Sequence, residues 1–484
     1  MYLCCWTSML LKLIFPLGVV ILLLTLALPA FLILARNYYK KKKEAASKDG
    51  KFSVGFFHPY CNAGGGGEKV LWCAIKAVQT RYPQSKIVVY TGDLEASPEE
   101  IVRHAEQKLN ISLKEPVQFV YLRKRRWIEA SMYPYFTILG QSLGSIILGI
   151  EALNGFIPDL YIDTMGYAFT MPLFKMIGNS KVACYVHYPI ITTDMLRRVS
   201  GQIAANNNRP SVARSPFLTA GKILYYRLFS WIYGWVGRCA DIVMVNSSWT
   251  EDHINELWLC PLKTHRVYPP CDVEDLKQMP LSSEASNLQN VSVGQFRPEK
   301  DHPLQLRAMY ELRQLVSEEM WDKIMLVFVG SCRHREDEER VRDMQDLCKH
   351  LSLENNVQFK VNISYEELKK ELQEGTIGLH AMWNEHFGIG VVECMAAGLI
   401  MVAHRSGGPL MDIVMESEGS RNGFLAANEA EYAQAIATIL KLSPRTKKMI
   451  RDAARASVDR FSVEEFDKDF LRTVDPFFSK SIRT

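Results

Sequence analysis

Short apolar runs alternate with longer amphipathic segments along most of the chain. In its first half the apolar runs predict six buried strands, at Phe52–Phe57, Ile87–Tyr90, Val117–Leu122, Leu160–Ile162, Val182–Val186 and Ile242–Val245. The segments between them are long enough for helices, and Glu68–Gln79 places its apolar residues at helical spacing. This alternation predicts an α/β domain with a doubly wound parallel sheet.

The same pattern returns after a polar stretch at Lys277–Asn290, which we interpret as a domain boundary. Apolar runs then predict strands at Val291–Gly294, Ile324–Val329, Val357–Phe359, Thr376–Leu379 and Ile400–Ala403. The last segment, Val458–Phe478, has the spacing of an amphipathic helix, which we expect to pack back on the first domain. The predicted units are therefore an anchor and linker (1–50), a first domain (51–276), a second domain (277–457) and a final helix (458–484).

A nearly uncharged segment lies near the start of the chain. Met9–Ala35 contains only Lys12 as a charged residue, and it exceeds the roughly 20 residues that cross a bilayer. Arg36 and the lysines at 40–43 follow it, so the positive-inside rule predicts a lumenal N-terminus and cytosolic domains. A cleaved signal peptide is the alternative, although its apolar region is usually only about 7 to 15 residues. We therefore expect a single-pass membrane protein.

Composition excludes several classes of protein. The 484 residues are 48% hydrophobic, which is enough for two globular domains and argues against a disordered chain. The 57 basic and 53 acidic residues give a net charge of +4, a balance that does not predict nucleic acid as the partner. The 11 cysteines include no Cys-x-x-Cys pair, which argues against a structural zinc site and favours a reducing compartment.

Two glutamates at a fixed spacing carry the most specific signal. Glu385 follows the predicted strand Thr376–Leu379, and ligands bind at the carboxyl ends of strands in open α/β sheets. Glu393 lies eight residues later, in the first turn of a predicted helix. The intervening residues would offer backbone N–H groups at a helix N-terminus to a diphosphate, namely Phe387, Gly388, Ile389 and Gly390. The alternative is an ordinary turn with two solvated carboxylates.

Two cations follow the first strand of the second domain. Arg297 and Lys300 would lie on the same rim of the sheet as Glu385, where they could stabilise a departing diphosphate. A pair of basic residues in an exposed loop is also common on ordinary protein surfaces, and that reading remains open.

The first domain contributes a glycine loop and a histidine. Gly65, Gly66 and Gly67 follow a strand and precede a helix, so they allow close backbone approach to a ligand or to the other domain. Their spacing does not fit a dinucleotide site, and a structural tight turn is the alternative. His187 ends a strand and could reach a sugar, although a lone histidine is more often structural.

Two segments combine cations with aromatic residues. Their composition is typical of segments that bind a membrane surface; they are Arg123–Trp127 and Phe217–Trp235. The second segment could equally fill the core of the first domain. The acidic run Glu336–Glu339 lies among arginines and is typical of a solvated helix start. No Asp-x-Asp motif follows a suitable strand, so we predict a metal-independent protein without a cofactor.

Taken together, the glycine loop, His187-Tyr188-Pro189, Arg297-Pro298-Glu299-Lys300, Glu385 and Glu393 resemble one family. They are similar to the GDP-mannose-dependent α-1,2-mannosyltransferases of asparagine-linked glycosylation, which are retaining GT-B glycosyltransferases of family 4 type. The resemblance implies two Rossmann-like domains that face a cleft. It also implies transfer of the fourth and fifth mannose from GDP-mannose to a dolichyl-diphosphate oligosaccharide at the endoplasmic reticulum membrane, with other mannosyltransferases of the pathway as possible partners.

The resemblance also implies roles for single residues. Glu385 would hold the donor sugar, and Glu393 would hold the ribose of the nucleotide. Arg297 and Lys300 would contact the diphosphate, although Gln295 occupies the position of the usual arginine. Either Arg297 substitutes from two residues downstream, or the site has one cation fewer.

Two other functions remain open at the level of sequence. One is a GT-B glycosyltransferase with another nucleotide sugar or a soluble acceptor. The other is a noncatalytic membrane scaffold that keeps the GT-B fold, and the presence of Glu385, Glu393 and Lys300 argues against it.

Overall fold

The computed structural model describes residues 27, 29–45, 50–192, 195, 216–281, 288–416 and 421–481. Its first sheet has seven parallel strands in the order β3-β2-β1-β4-β5-β6-β7. These strands are β1 (Ser53–Phe57), β2 (Lys86–Thr91), β3 (Gln118–Tyr121), β4 (Leu160–Asp163), β5 (Lys181–Val186), β6 (Ile242–Val245) and β7 (Thr264–Arg266).

The second sheet has six parallel strands in the order β10-β9-β8-β11-β12-β13. These strands are β8 (Leu288–Val293), β9 (Ile324–Gly330), β10 (Val357–Val361), β11 (Ile377–His380), β12 (Ile400–His404) and β13 (Gly423–Ala426). The predicted domain boundary at residue 277 falls between β7 and β8, and part of that stretch, 282–287, lies outside the described residues.

Helices flank both sheets. A first helix, α1, covers 29–45. The helices of the first half are α2 (Gly66–Arg81), α3 (Pro98–Leu109), α4 (Thr137–Gly155), α5 (Pro216–Gly237), α6 (Ser248–Trp258) and α7 (Val273–Lys277). Those of the second half are α8 (His302–Leu312), α9 (Glu318–Trp321), α10 (Arg335–His350), α11 (Tyr365–Glu374), α12 (Ile389–Ala397), α13 (Glu429–Lys441), α14 (Pro444–Ser457) and α15 (Val463–Ser481).

The prediction of two doubly wound α/β domains is confirmed. Each apolar run that predicts a strand forms one, because a parallel strand covered on both faces needs apolar residues at consecutive positions. All five residues of β1 are buried, for example. The sequence pattern does not predict β7 or β13, which have only three and four residues and lie at sheet edges.

Each sheet has one place where the direction of winding reverses. In the first sheet this switch point lies between β1 and β4, and in the second it lies between β8 and β11. The loops that leave two such neighbouring strands diverge to opposite faces of the sheet and open a crevice at the carboxyl ends of the strands. The crevice between β8 and β11 therefore lies beside the loops that contain Lys300 and Glu385.

The last helix returns from the second domain to the first. On α15, Phe466, Phe470, Val474 and Phe478 are buried in the same apolar cluster as α2 and the strands of the first sheet. Phe478 stacks on Tyr82 with ring centroids 3.8 Å apart. The helix therefore buries an apolar stripe against the domain at the opposite end of the chain.

The predicted membrane span requires a correction. Most of Met9–Ala35 lies outside the described residues, and within the described part of the chain no helix has the length and the apolar character to cross a bilayer. The described part of helix α1, 29–45, contains Arg36 and the lysines at 40–43, which hydrocarbon would not accommodate. The single-pass topology, with a lumenal N-terminus and cytosolic domains, is therefore not retained.

Truncating Phe470 tests how α15 is held. Its side chain is fully buried, so we expect Phe470→Ala to lower the free energy of unfolding by about 3–5 kcal/mol. Arg472→Ala on the same helix is the control, because its side chain is 78% exposed and surface changes usually cost less than about 0.5 kcal/mol. Thermal unfolding of the full chain measures the difference, and equal melting temperatures for the two variants would contradict this packing.

Candidate active site

The most charged part of the crevice lies between β8 and β11. Lys300 ends a short 3-10 turn after β8, and its Nζ lies 2.6 Å from Glu385 Oε2. His380 is the last residue of β11, and its Nε2 lies 3.0 Å from the same carboxylate oxygen. The side chains of all three residues are largely buried, so one carboxylate is bound by two donors in a site with little water.

These donors fix the charge of Glu385. Burial alone would raise the pKa of its carboxyl group, but the hydrogen bond from His380 and the positive charge of Lys300 outweigh burial and lower that pKa. Glu385 is therefore a carboxylate at neutral pH and can accept hydrogen bonds from hydroxyl groups.

The next residues form the start of α12. Gly388 precedes the helix with φ of 117°, a conformation that strongly favours glycine. An added Cβ on Gly390 would make an ordinary van der Waals contact with Val293 O, at 3.8 Å. The Phe387 side chain is buried against Tyr268 and Phe461, so only its backbone could contact a ligand.

The glycine loop of the first domain faces this helix. An added Cβ on Gly66 would lie 2.8 Å from Ile389 Cδ1, so the absence of a side chain there lets the two domains approach. Gly65 N donates a hydrogen bond to Glu68, whose other oxygen lies 3.3 Å from His58 Nε2. The loop is therefore held by a buried carboxylate that the sequence analysis did not single out.

His187 lies on the first domain's side of the crevice. Its ring lies beside Gly67, where an added Cβ would be 3.7 Å from Nε2. Nε2 is 3.1 Å from Thr164 O, and because a carbonyl only accepts, Nε2 carries the proton. Burial lowers the pKa of His187 to about 4, so the ring is neutral at pH 7 and leaves Nδ1 as an acceptor.

Glu393 lies on the second turn of α12, one turn later than predicted. It is half-buried, and burial raises the pKa of its carboxyl group to about 7, with the positive charge of Lys69 opposing the shift and Asp272 adding to it. Lys69, on α2 of the first domain, also forms an ion pair with Asp272. Glu393 therefore faces charged groups from the first domain and the segment that joins the domains.

Arg297 has a different acidic partner, Glu299. Its side chain is 40% exposed and its Nη1 lies 3.9 Å from Glu299 Oε1. Among the residues that the structure describes, no ion pair or hydrogen bond links Arg297 to Glu385. The crevice therefore brings together Lys300, Glu385, the start of α12, the glycine loop and His187, while the guanidinium of Arg297 lies on its rim.

Two histidines of the crevice, His380 and His386, were not predicted from the sequence. His380 is the last residue of β11 and His187 directly follows β5, so the same signal, a histidine at the carboxyl end of a strand, could have identified His380. His386 packs against Tyr188 and Trp249 of the first domain, with ring centroids 4.1 and 5.3 Å apart. No sequence signal identifies His386, because its aromatic partners come from another domain.

One further carboxylate joins the domains near this point. Asp412, between β12 and β13, accepts hydrogen bonds from the Ser248 backbone N at 2.9 Å and from Ser248 Oγ at 2.6 Å. Tyr268 also donates to Asp412, at 2.9 Å. Because Ser248 begins α6 of the first domain, this contact holds the crevice walls together.

Within the described ranges, no cluster of three or more histidine, cysteine or acidic residues has the arrangement of a metal site.

Comparison with known proteins gives concordant results along the chain. Residues 51–258 match the family described as ALG11 mannosyltransferase N-terminus, and residues 280–456 match Glycosyl transferases group 1. The chain is 54% identical over 443 residues to the GDP-Man:Man(3)GlcNAc(2)-PP-Dol alpha-1,2-mannosyltransferase of Homo sapiens, covering 91% of this chain and 90% of the relative. The protein of the same description from Caenorhabditis elegans is 40% identical, covering 87% and 91%.

Solved structures share the fold at low identity. Anabaena Alr3699/HepE in complex with UDP and glucose superposes with a TM-score of 0.58 at 18% identity, covering 87% of this chain and 99% of that chain. Sucrose-phosphate synthase from Thermosynechococcus elongatus gives a TM-score of 0.60 at 17% identity, covering 89% and 100%. Because the curated relatives match nearly full length at 40–54% identity, the chain belongs to the family of GDP-Man:Man(3)GlcNAc(2)-PP-Dol alpha-1,2-mannosyltransferases.

Proposed function

We propose that the protein is a retaining GT-B mannosyltransferase. It transfers mannose from GDP-mannose to a dolichyl-diphosphate oligosaccharide that carries three mannoses, and it adds the fourth and fifth mannose in α-1,2 linkage. The observation that carries this proposal is the contact of Lys300 with Glu385 in the crevice, 2.6 Å between Nζ and Oε2. This contact places a carboxylate that can bind a sugar next to a cation that can bind a diphosphate, and both side chains are largely buried.

The donor would lie across the crevice between the domains. Glu385, a carboxylate at neutral pH, accepts hydrogen bonds from the mannose hydroxyls. Lys300 then shifts from the carboxylate to the diphosphate, where the N–H groups at the start of α12 add further positive potential. Arg297 on the rim is a second cation that reaches the diphosphate only if its side chain turns inward.

The chemistry is a substitution at the anomeric carbon of mannose. The bond from C1 to the diphosphate oxygen breaks, and a bond from C1 to the acceptor hydroxyl oxygen forms on the same face. The acceptor proton passes to the departing phosphate oxygen, whose negative charge Lys300 and α12 stabilise. His187 is neutral, and its Nε2–H donates a hydrogen bond to Thr164 O, so we assign it a positioning role beside the sugar.

No metal or cofactor is part of this proposal, because the side chain of Lys300 and the N-terminus of α12 supply the positive charge that the leaving group needs. The dolichyl tail of the acceptor requires a bilayer beside the crevice. Association with other mannosyltransferases of the same pathway stays a prediction.

The direct test is product analysis with the purified full chain. We expect incubation with GDP-mannose and the trimannosyl lipid acceptor to give products with four and five mannoses, both additions in α-1,2 linkage. A panel of other nucleotide sugars and free oligosaccharides distinguishes another donor or a soluble acceptor. GDP binding without any turnover would instead support a noncatalytic scaffold.

Glu385→Gln tests the carboxylate. Because glutamine keeps the size of the side chain but loses its charge, we expect kcat for mannose transfer to fall on the order of 10²- to 10³-fold. GDP affinity should change little, since Glu385 is assigned to the sugar. The control is Glu366→Gln, an exposed carboxylate on α11. Near-normal transfer by folded Glu385→Gln would refute the assigned role.

The two cations should differ in their effect. We expect Lys300→Ala to lower kcat on the order of 10²-fold, because Lys300 faces the crevice, and Arg297→Ala to lower it less than about tenfold. Arg335→Ala on α10 is the control for removing an exposed arginine that has an acidic partner. If Arg297→Ala is as severe as Lys300→Ala, then Arg297 replaces the arginine missing at position 295.

Donor binding should depend on pH through Glu393. The pKa of this carboxyl group is raised to about 7, so it is protonated below pH 7 and becomes a carboxylate as the pH rises. A carboxylate accepts hydrogen bonds from ribose hydroxyls more strongly, so we expect the Kd of GDP-mannose to fall on the order of tenfold from pH 6 to pH 8.

Calorimetric titration at several pH values measures this dependence, and Glu393→Gln is the control that should abolish it. The pKa values of His187 and His386 are lowered to about 4 by burial, so neither ring titrates in this interval. A Kd that varies equally in the wild type and in Glu393→Gln would exclude Glu393 as the titrating group.

A further inference from the structure

The loop that follows β12 packs directly against the backbone of Glu385. We call its residues, 405–408, the β12 loop; because β12 pairs with β11, this loop leaves the sheet beside the loop of Glu385. An added Cβ on Gly407 would clash with Glu385 O, and one on Gly408 would clash with Phe387 O. The two loops therefore meet backbone to backbone, an approach that only glycine allows.

Two hydrogen bonds from the β12 loop enclose Glu385. Asn384 N donates to Ser406 Oγ at 2.8 Å, and Gly408 N donates to Glu385 O at 2.8 Å. Asn384 has a φ of 51°, in the left-handed region that side chains other than glycine rarely adopt. The hydroxyl of Ser406 therefore binds a strained residue directly before the carboxylate, and the Gly408 N–H binds the peptide directly after it.

The hydroxyl of Ser406 is oriented by His404, the last residue of β12. His404 is buried, and its Nδ1 lies 2.8 Å from Ser406 Oγ. Burial lowers the pKa of His404, while a hydrogen bond with the backbone of Ala427 opposes that shift, so the ring is neutral at pH 7 and donates to Ala427. A neutral imidazole has one donor and one acceptor, so Nδ1 accepts the Ser406 O–H. The lone pairs of Ser406 Oγ then face Asn384.

The β12 loop itself is fixed to the rest of the second domain. Arg405 N donates to Ala426 O at 2.8 Å, and Arg405 Nη2 donates to Leu425 O at 2.9 Å, both at the end of β13. Arg405 Nη1 also lies 3.0 Å from Glu431 Oε2 on α13. Ser406 is therefore held between a strand end and a bound arginine, which makes it a rigid support for a neighbouring loop.

We propose that Ser406 is a positioning residue for mannose transfer. Together with the Gly408 N–H it fixes the backbone of Glu385, so that the carboxylate meets the donor sugar in one orientation. The inference rests on the proposed function, in which Glu385 binds the sugar and Lys300 shifts to the diphosphate. Once Lys300 has shifted, the backbone bonds become a larger part of what holds Glu385, and small displacements of a reacting group are costly.

Kinetics of the full chain test the role of the hydroxyl. We expect Ser406→Ala to lower kcat on the order of tenfold, because the Asn384 N–H loses its acceptor, and to leave GDP affinity unchanged, because GDP has no sugar for Glu385 to bind. Ser406→Thr keeps the hydroxyl and should retain most of the activity. The control is Ser317→Ala, which removes a hydroxyl that accepts from Met320 N at 3.3 Å before the amino end of β9.

A double-mutant cycle shows whether Ser406 acts through Glu385. In the Glu385→Ala background there is no carboxylate to position, so we expect Ser406→Ala to change kcat by less than about twofold. A tenfold loss in both backgrounds would overturn the proposal, and so would a loss in Ser406→Thr as large as in Ser406→Ala.

Hydrogen exchange tests the contact without catalysis. We expect the amide of Asn384 to exchange on the order of tenfold faster in Ser406→Ala than in the wild type, with exchange in β11 unchanged as the sign of an intact fold. Exchange at Asn384 that does not depend on Ser406 would overturn the proposal. Absence of mannose transfer by the wild type would instead overturn the proposed function and the catalytic role of Ser406 with it, while faster exchange in Ser406→Ala would still support the contact.

Discussion

The contact of Glu385 with Lys300 and His380 depends on one topological fact, the neighbouring position of β8 and β11. The chain winds from β8 in one direction through β9 and β10, and then crosses back to β11. The loops after β8 and β11 therefore separate, and the charges at their ends share a crevice with little water. In such a place a cation lowers the pKa of a carboxyl group despite burial, which prepares Glu385 to accept hydrogen bonds.

The first domain completes the crevice by approaching it closely. Gly66 permits the contact with Ile389, and His386 inserts its ring beside Tyr188 and Trp249. Asp412 and the final helix α15 hold this arrangement from two sides, the first by hydrogen bonds to Ser248 and the second by apolar packing on α2. Closure between domains of this kind excludes water from a site, which strengthens the electrostatic interactions inside it.

Much of the fold could be predicted from the sequence, because a parallel strand that is covered on both faces appears as a continuous run of apolar residues. The edge strands β7 and β13 were not predicted. β7 has only three residues, two of them exposed, and β13 begins with a glycine, a residue that is depleted in strands. In the site, Glu385 and Lys300 could be predicted because each lies in the loop that follows a predicted strand, and Glu393 could be predicted from its fixed spacing to Glu385. The outward direction of Arg297 and the burial of the Phe387 ring were not readable, because side-chain direction depends on neighbours distant in sequence.

The sequence alone determined the two α/β domains and the charged residues that follow their strands, because both depend on local patterns of apolar and charged residues. Only the tertiary structure decided which of these residues meet. It placed His380 on Glu385, His386 between the domains, and the tryptophans of α5 outward while the other side of the same helix fills the core. An aromatic helix has the same local pattern in a core and on a surface, so only the packing of the surrounding chain distinguishes its faces.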